Sequence, residues 1–135
     1  MEQINEDIYT LKAPANFVVT GCTGCGKTSF LFNLLKRWPF QPQKGKMIYF
    51  YNIWQPLFEK FMEEFPSMTF VQGLHLGKIE DFQNEENFVN VVICDDLMDS
   101  AVNDENFANL FTVYGHHRNI LNFFVKILKN RNIYN

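Results

Sequence analysis

Apolar positions along the chain follow two rhythms. Short β-branched or aromatic runs alternate with stretches whose apolar residues recur three and four apart. Asn16 to Thr20 ends in glycine and predicts a buried strand. Lys27 to Trp38 puts Phe30, Leu31, Leu34 and Leu35 on one stripe and predicts a helix, with Pro39 beyond its end. Lys46 to Tyr51 predicts the second strand. Pro56 to Phe65 places Leu57, Phe58, Phe61, Met62 and Phe65 at helical spacing and closes on Pro66. Met68 to Val71 predicts a third strand, and the polar, acidic stretch Lys78 to Asn87 a loop or short exposed helix. Val89 to Cys94 is the most apolar strand candidate. Asp104 to Tyr114 predicts a helix with Phe107, Leu110 and Phe111 inward and Asn103 or Asp104 as its cap. Ile120 to Leu128 is apolar enough for a last strand or a helix. This alternation predicts an α/β, three-layer fold with a mostly parallel central sheet covered on both faces. No repeat, low-complexity tract or linker divides the chain, so residues 1–135 read as a single domain.

Composition narrows the class. Apolar residues make up 47% and charged residues 20%, so a packed core is expected, and 15 phenylalanines make much of it aromatic. The net charge of −3 is the wrong sign for coating nucleic acid non-specifically, so any DNA contact is local or built from several subunits. No apolar run reaches the roughly 18 residues of a membrane helix, and the acidic N-terminus lacks the layout of a secretion signal. A soluble intracellular domain without membrane contact is expected.

Gly21-Cys22-Thr23-Gly24-Cys25-Gly26-Lys27-Thr28 fits G-x-x-x-x-G-K-[ST] at every fixed position, and Ser29 follows it. Glycines let the chain turn so that successive N–H groups point at one anion. The helix opening at Lys27 adds its positive end. Lys27 supplies a cation for the β- and γ-phosphates of ATP, and Thr28 a hydroxyl for Mg²⁺. The motif follows a strand pattern and opens a helix pattern, the setting it requires. Residues 21–29 are therefore the candidate nucleotide-binding set. Cys22 and Cys25 have zinc or redox spacing, but no second Cys pair or suitably spaced His pair completes a zinc set, and they read as small loop residues.

The strand 89–94 runs into Asp95 and Asp96. A parallel strand ending this way delivers carboxylates to the edge where the phosphate loop sits, and the two strands are expected to be neighbours. Asp95 would hold Mg²⁺ through water, and Asp96 would orient or deprotonate the attacking water. Gly115-His116-His117-Arg118-Asn119 precedes the last apolar stretch. Its adjacent histidines are not a helical metal pair, and Arg118 is a candidate finger acting on a neighbouring subunit's nucleotide. Lys44 and Lys46 read as solvated charges.

GCTGCGKTSF, IYFYNIWQPLFEKF and VVICDDLMDSAVNDENFANLFTVYGHHRNI together resemble the packaging-type ATPase of Maverick/Polinton elements and adintoviruses. That family is similar to the poxvirus-type genome-packaging ATPases in the FtsK–HerA branch of P-loop NTPases. The resemblance runs from about Asn16 to Ile120. It implies an ATP-driven homo-oligomeric ring that moves double-stranded viral DNA into a capsid during virion assembly in a host cell. Lys27 and Thr28 then match its Walker A residues, and Asp95 and Asp96 its Walker B acids. Family members continue after the His-His-Arg-Asn segment with a strand ending in a polar sensor, commonly Gln-Asn. Here residues 119–135 diverge and no glutamine follows Gln83. The expectation is a C-terminally truncated copy that binds nucleotide poorly or turns it over slowly. A small nucleoside or nucleotide kinase, or a degenerate nucleotide-binding domain without turnover, are the alternatives.

Overall fold

The computed structural model describes residues 15–22, 24–40, 43–97, 108 and 118–127. The five apolar runs become strands β1 (Ala15–Gly21), β2 (Gln43–Tyr51), β3 (Met68–Gln72), β4 (Phe88–Asp95) and β5 (Ile120–Ile127). Helix α1 (Lys27–Arg37) follows β1, and helix α2 (Phe58–Glu64) follows β2. Among the described residues a 3₁₀ turn, Leu76–Ile79, runs into the start of the stretch expected to be a loop or exposed helix, and Ile79 and Phe82 are buried.

All five strands pair in parallel, in the order β1-β5-β4-β2-β3. The last apolar stretch is thus a strand, inserted between β1 and β4. A central parallel strand must be apolar on both faces, and Val89 to Asp95 are buried throughout β4. Alternate residues feed two cores. Tyr49, Ile93 and Phe123 pack on one face with Leu31 and Leu35 of α1 and Phe58 and Phe61 of α2. Ile48, Val92 and Phe124 pack on the other with Ile79, Phe82 and Leu97. Both described α-helices therefore cover the same face. The helix expected over 104–114 lies outside the described residues apart from Ala108, which is helical.

Two expectations need correction. The strand read as buried, β1, is an edge strand among the described residues, because only β5 pairs with it. Its side chains alternate between half-buried and exposed, and Val18 keeps 60% of its surface in solvent. Lys44 is no freely solvated charge either. Its ammonium donates to the Leu35 carbonyl near the end of α1 at 3.1 Å and lies over the rings of Phe65 and Trp38. Partial burial pulls its pKa down, against the opposing pull of Glu64.

The amino edge of the sheet is tied by one buried amide. Asn90 Nδ2 donates to the carbonyls of Gln83 and Arg118, each at 2.9 Å, and its Oδ1 accepts from the Lys46 N–H. The β2–β4 register shifts between Lys44 and Met47, beside this contact. Gly45 sits there because a Cβ would meet Asn90 Oδ1 at 2.8 Å.

Phe123 is fully buried and stacks on Phe17 at 5.3 Å. Phe123→Ala is expected to cost about 3–5 kcal/mol in a urea titration, against at most about 0.5 kcal/mol for Val18→Thr on the open edge.

Candidate functional site

Parallel strands all point their carboxyl ends the same way, so whatever follows β1 and β4 meets at one edge. Between the two lies β5, with Gly21 level with Ile127 and Asp95 level with Val125. The phosphate-loop strand and the acid-bearing strand are therefore not the expected neighbours. Two inter-strand steps of about 4.8 Å set their axes roughly 10 Å apart. The gap is a cavity of about 450 Å³ lined by Gly24, Gly26, Lys27, Thr28 and Ser29 on one side and by Asp95 and Asp96 on the other. Asn52, Ile53, Gln55 and Leu57, from the segment after β2, complete its wall.

Gly26 caps α1 at φ 91°, a left-handed backbone that L side chains rarely adopt. Helix α1 opens with no side-chain cap and no acidic residue in its first turn, so its first N–H groups keep their donors for an anion. Lys27 folds back on the loop itself, donating to the carbonyls of Cys22 at 2.7 Å and Gly21 at 3.0 Å. Gly21 lies close against the loop, and a Cβ there would displace the exposed Cys25 side chain. Cys25 lines a shallower hollow on the β1 side, with Val18 and Phe30, rather than the main cavity. Thr23 lies outside the described residues.

Asp95 ends β4 almost fully buried. Burial is the largest influence and raises its pKa, and the charge of Asp96 adds to the rise. Hydrogen bonding from Tyr49, the Lys27 charge and hydrogen bonding from Gln55 act against it. The Tyr49 hydroxyl donates to Asp95 Oδ2 at 2.7 Å, and Gln55 Nε2 donates to the same oxygen at 3.3 Å. Gln55 Oε1 in turn accepts from the Thr28 hydroxyl at 3.0 Å. Tyr49 is held in its neutral form, its pKa raised first by burial and then by the adjacent carboxylate. Asp96 turns into the left-handed region at φ 56° while its N–H donates to the Val125 carbonyl at 2.8 Å. Such strain at an edge facing a cavity is typical of functional positions.

The remaining candidates sit elsewhere. Arg118 precedes β5, at the opposite end of the sheet from the phosphate loop. Its guanidinium donates to the carbonyls of Ile79, Glu80 and Phe82, closing the 3₁₀ turn. Within its own chain Arg118 thus ties the 3₁₀ turn to the start of β5. His116 and His117 lie outside the described residues. Gln55 and Tyr49 carry no motif and were not legible as site residues. The one sequence signal was a lone glutamine inside an aromatic run, Tyr49 to Phe58.

Among the described residues no group of three or more His, Cys, Asp or Glu converges as a metal cage. The Thr28 hydroxyl and the Asp95 carboxylate nonetheless fit Mg²⁺, which takes one or two protein oxygens and completes its shell with phosphate and water. No described helix is long and apolar enough to cross a membrane. Compared with known proteins, the chain matches no family model, no curated protein and no solved structure.

Two outcomes follow from burial. Cys22 and Cys25 are exposed, while Cys94 is buried with its thiol pushed up to about 12. An alkylating reagent at pH 8 should label the first two in the folded protein and Cys94 only after denaturation. An acid whose folded pKa is raised contributes stability at low pH that is lost as pH rises through that pKa. Asp95→Asn should therefore raise the melting temperature of the nucleotide-free protein at pH 7, with the gain shrinking as pH falls toward 4.

Proposed function

We propose that this chain is a Mg²⁺-dependent ATPase module with a P-loop NTPase fold, acting within a homo-oligomeric ring that drives double-stranded viral DNA into a capsid. The observation that carries the nucleotide reading is one cavity lined by Lys27 and Thr28 from the loop and by Asp95 and Asp96 from β4. The packaging role rests on the resemblance of the three quoted segments. The finer fold assignment draws on the all-parallel sheet with the glycine-rich loop leading into α1.

The chemistry then divides among the chain's own groups. The loop N–H groups and the amino end of α1 bind the β- and γ-phosphates. Lys27 leaves the Gly21 and Cys22 carbonyls and places its ammonium on the phosphate oxygens, exchanging uncharged acceptors for charged ones. Thr28 and Asp95 would hold Mg²⁺, which neutralises charge on the β- and γ-oxygens. Asp96 takes the proton of a water that attacks the γ-phosphorus. The bond from that phosphorus to the β–γ bridging oxygen breaks, giving ADP and inorganic phosphate. Its left-handed backbone turns the residue away from the strand line and onto the cavity wall.

Nucleotide titration and steady-state hydrolysis of variants test this assignment. Lys27→Ala should weaken ATP binding roughly ten- to hundredfold, the worth of one or two charged hydrogen bonds. Asp96→Asn should bind ATP normally and lose about 10²–10⁴ in kcat. Unaltered binding by Lys27→Ala would remove the nucleotide reading. Phosphate appearing on a nucleoside acceptor would favour a kinase. Hydrolysis that double-stranded DNA fails to stimulate would count against the motor.

A further inference from the structure

Tyr49 touches both of the groups suited to a divalent cation, and so, from outside the strands, does Gln55. It stands in the segment between β2 and α2, half-buried. Its Oε1 takes the Thr28 hydroxyl proton and its Nε2 donates to Asp95 Oδ2. An amide can do both at once, whereas an ionised carboxylate only accepts and an ammonium only donates. The amide's orientation is fixed by the same partners. Reversed, it would set its oxygen against the carboxylate and its NH₂ against a hydroxyl whose proton then has no acceptor there.

These two contacts have a directional consequence. A hydroxyl has one proton and two lone pairs, and spending the Thr28 proton on Gln55 leaves lone pairs for a cation. On Asp95, Gln55 and Tyr49 both donate to Oδ2, which leaves Oδ1 as the oxygen without a donor among the described residues. Outer partners that orient ligands in this way tune metal affinity nearly as strongly as the ligands themselves.

The aromatic residues around Gln55 keep it in place. Trp54, its neighbour, packs edge-on against Tyr51, Phe58 and Phe70 at 5.2–5.9 Å between ring centres. Phe58 is fully buried at the start of α2, so the segment between β2 and α2 is anchored at both ends.

We propose that Gln55 is a positioning residue for the divalent cation that accompanies the nucleotide, orienting the Thr28 hydroxyl and the Asp95 carboxylate toward it. The proposal rests on the nucleotide reading above and adds a role for a residue that reading does not need.

The test is the affinity for ADP and ATP measured by calorimetry, with excess Mg²⁺ and again with EDTA, for wild type, Gln55→Leu and Gln55→Asn. Melting temperatures are recorded alongside. Wild type should bind more tightly with Mg²⁺. Gln55→Leu should lose about ten- to hundredfold of that gain while its affinity in EDTA stays unchanged. Gln55→Asn, drawn back by one methylene, should lose the same contacts and serves in place of Leu if that variant melts below assay temperature. A variant that keeps the full Mg²⁺ gain overturns the proposal. So does one that weakens equally with and without Mg²⁺, the mark of a purely structural role. Wild type that binds neither nucleotide under either condition would remove the nucleotide reading and the proposal together.

Discussion

The buried carboxylate of Asp95 is the constraint around which the carboxyl edge is organised. An ionised acid out of water is costly unless charge and hydrogen-bond donors surround it, and this site supplies both. Tyr49 and Gln55 donate to it, and Lys27 acts on it through space. Because these partners come from β2, from the segment after β2 and from α1, the need to satisfy one group ties three separate parts of the chain together. The pKa still stays raised, so the fold tolerates a residual cost at this position. That is the pattern expected where stability is given up for a site.

Aromatic packing makes the tolerance possible. Tyr49 stacks on Phe70 and leans on Phe58 and Phe61, so its hydroxyl has a fixed origin from which to reach Asp95. Rigid rings with few torsions hold a polar tip at low entropic cost. The opposite edge of the sheet uses different means for the same end. There the buried Asn90 amide and the Arg118 guanidinium satisfy backbone carbonyls that turns would otherwise leave without donors. Polar ties at both ends and apolar layers between fix the register of the strands.

Strand order sets the spacing of the two strands that lead into the cavity. Paired directly, β1 and β4 would have axes about 5 Å apart. Inserting β5 doubles that spacing and lends the Val125 carbonyl to hold Asp96 in its left-handed turn. The same insertion leaves β1 with one paired side among the described residues, and Val18 stands on the face of β1 opposite the one that Phe17 and Val19 pack against the core.

What the sequence determined by itself is everything that depends on near neighbours. The glycine-rich loop is eight consecutive residues, the stripe of α1 depends on three- and four-residue spacing, and the apolar run of β4 ends at its two acids. The tertiary structure alone decided which strand lies beside which, that Gln55 joins Thr28 to Asp95, and that Arg118 closes a turn. Each of those contacts joins residues far apart in the chain, from Gln55 reaching Thr28 to Arg118 reaching Phe82. Local propensity is silent about such pairs, because they form only when burial of the sheet's two faces selects one arrangement of strands among many with the same pattern.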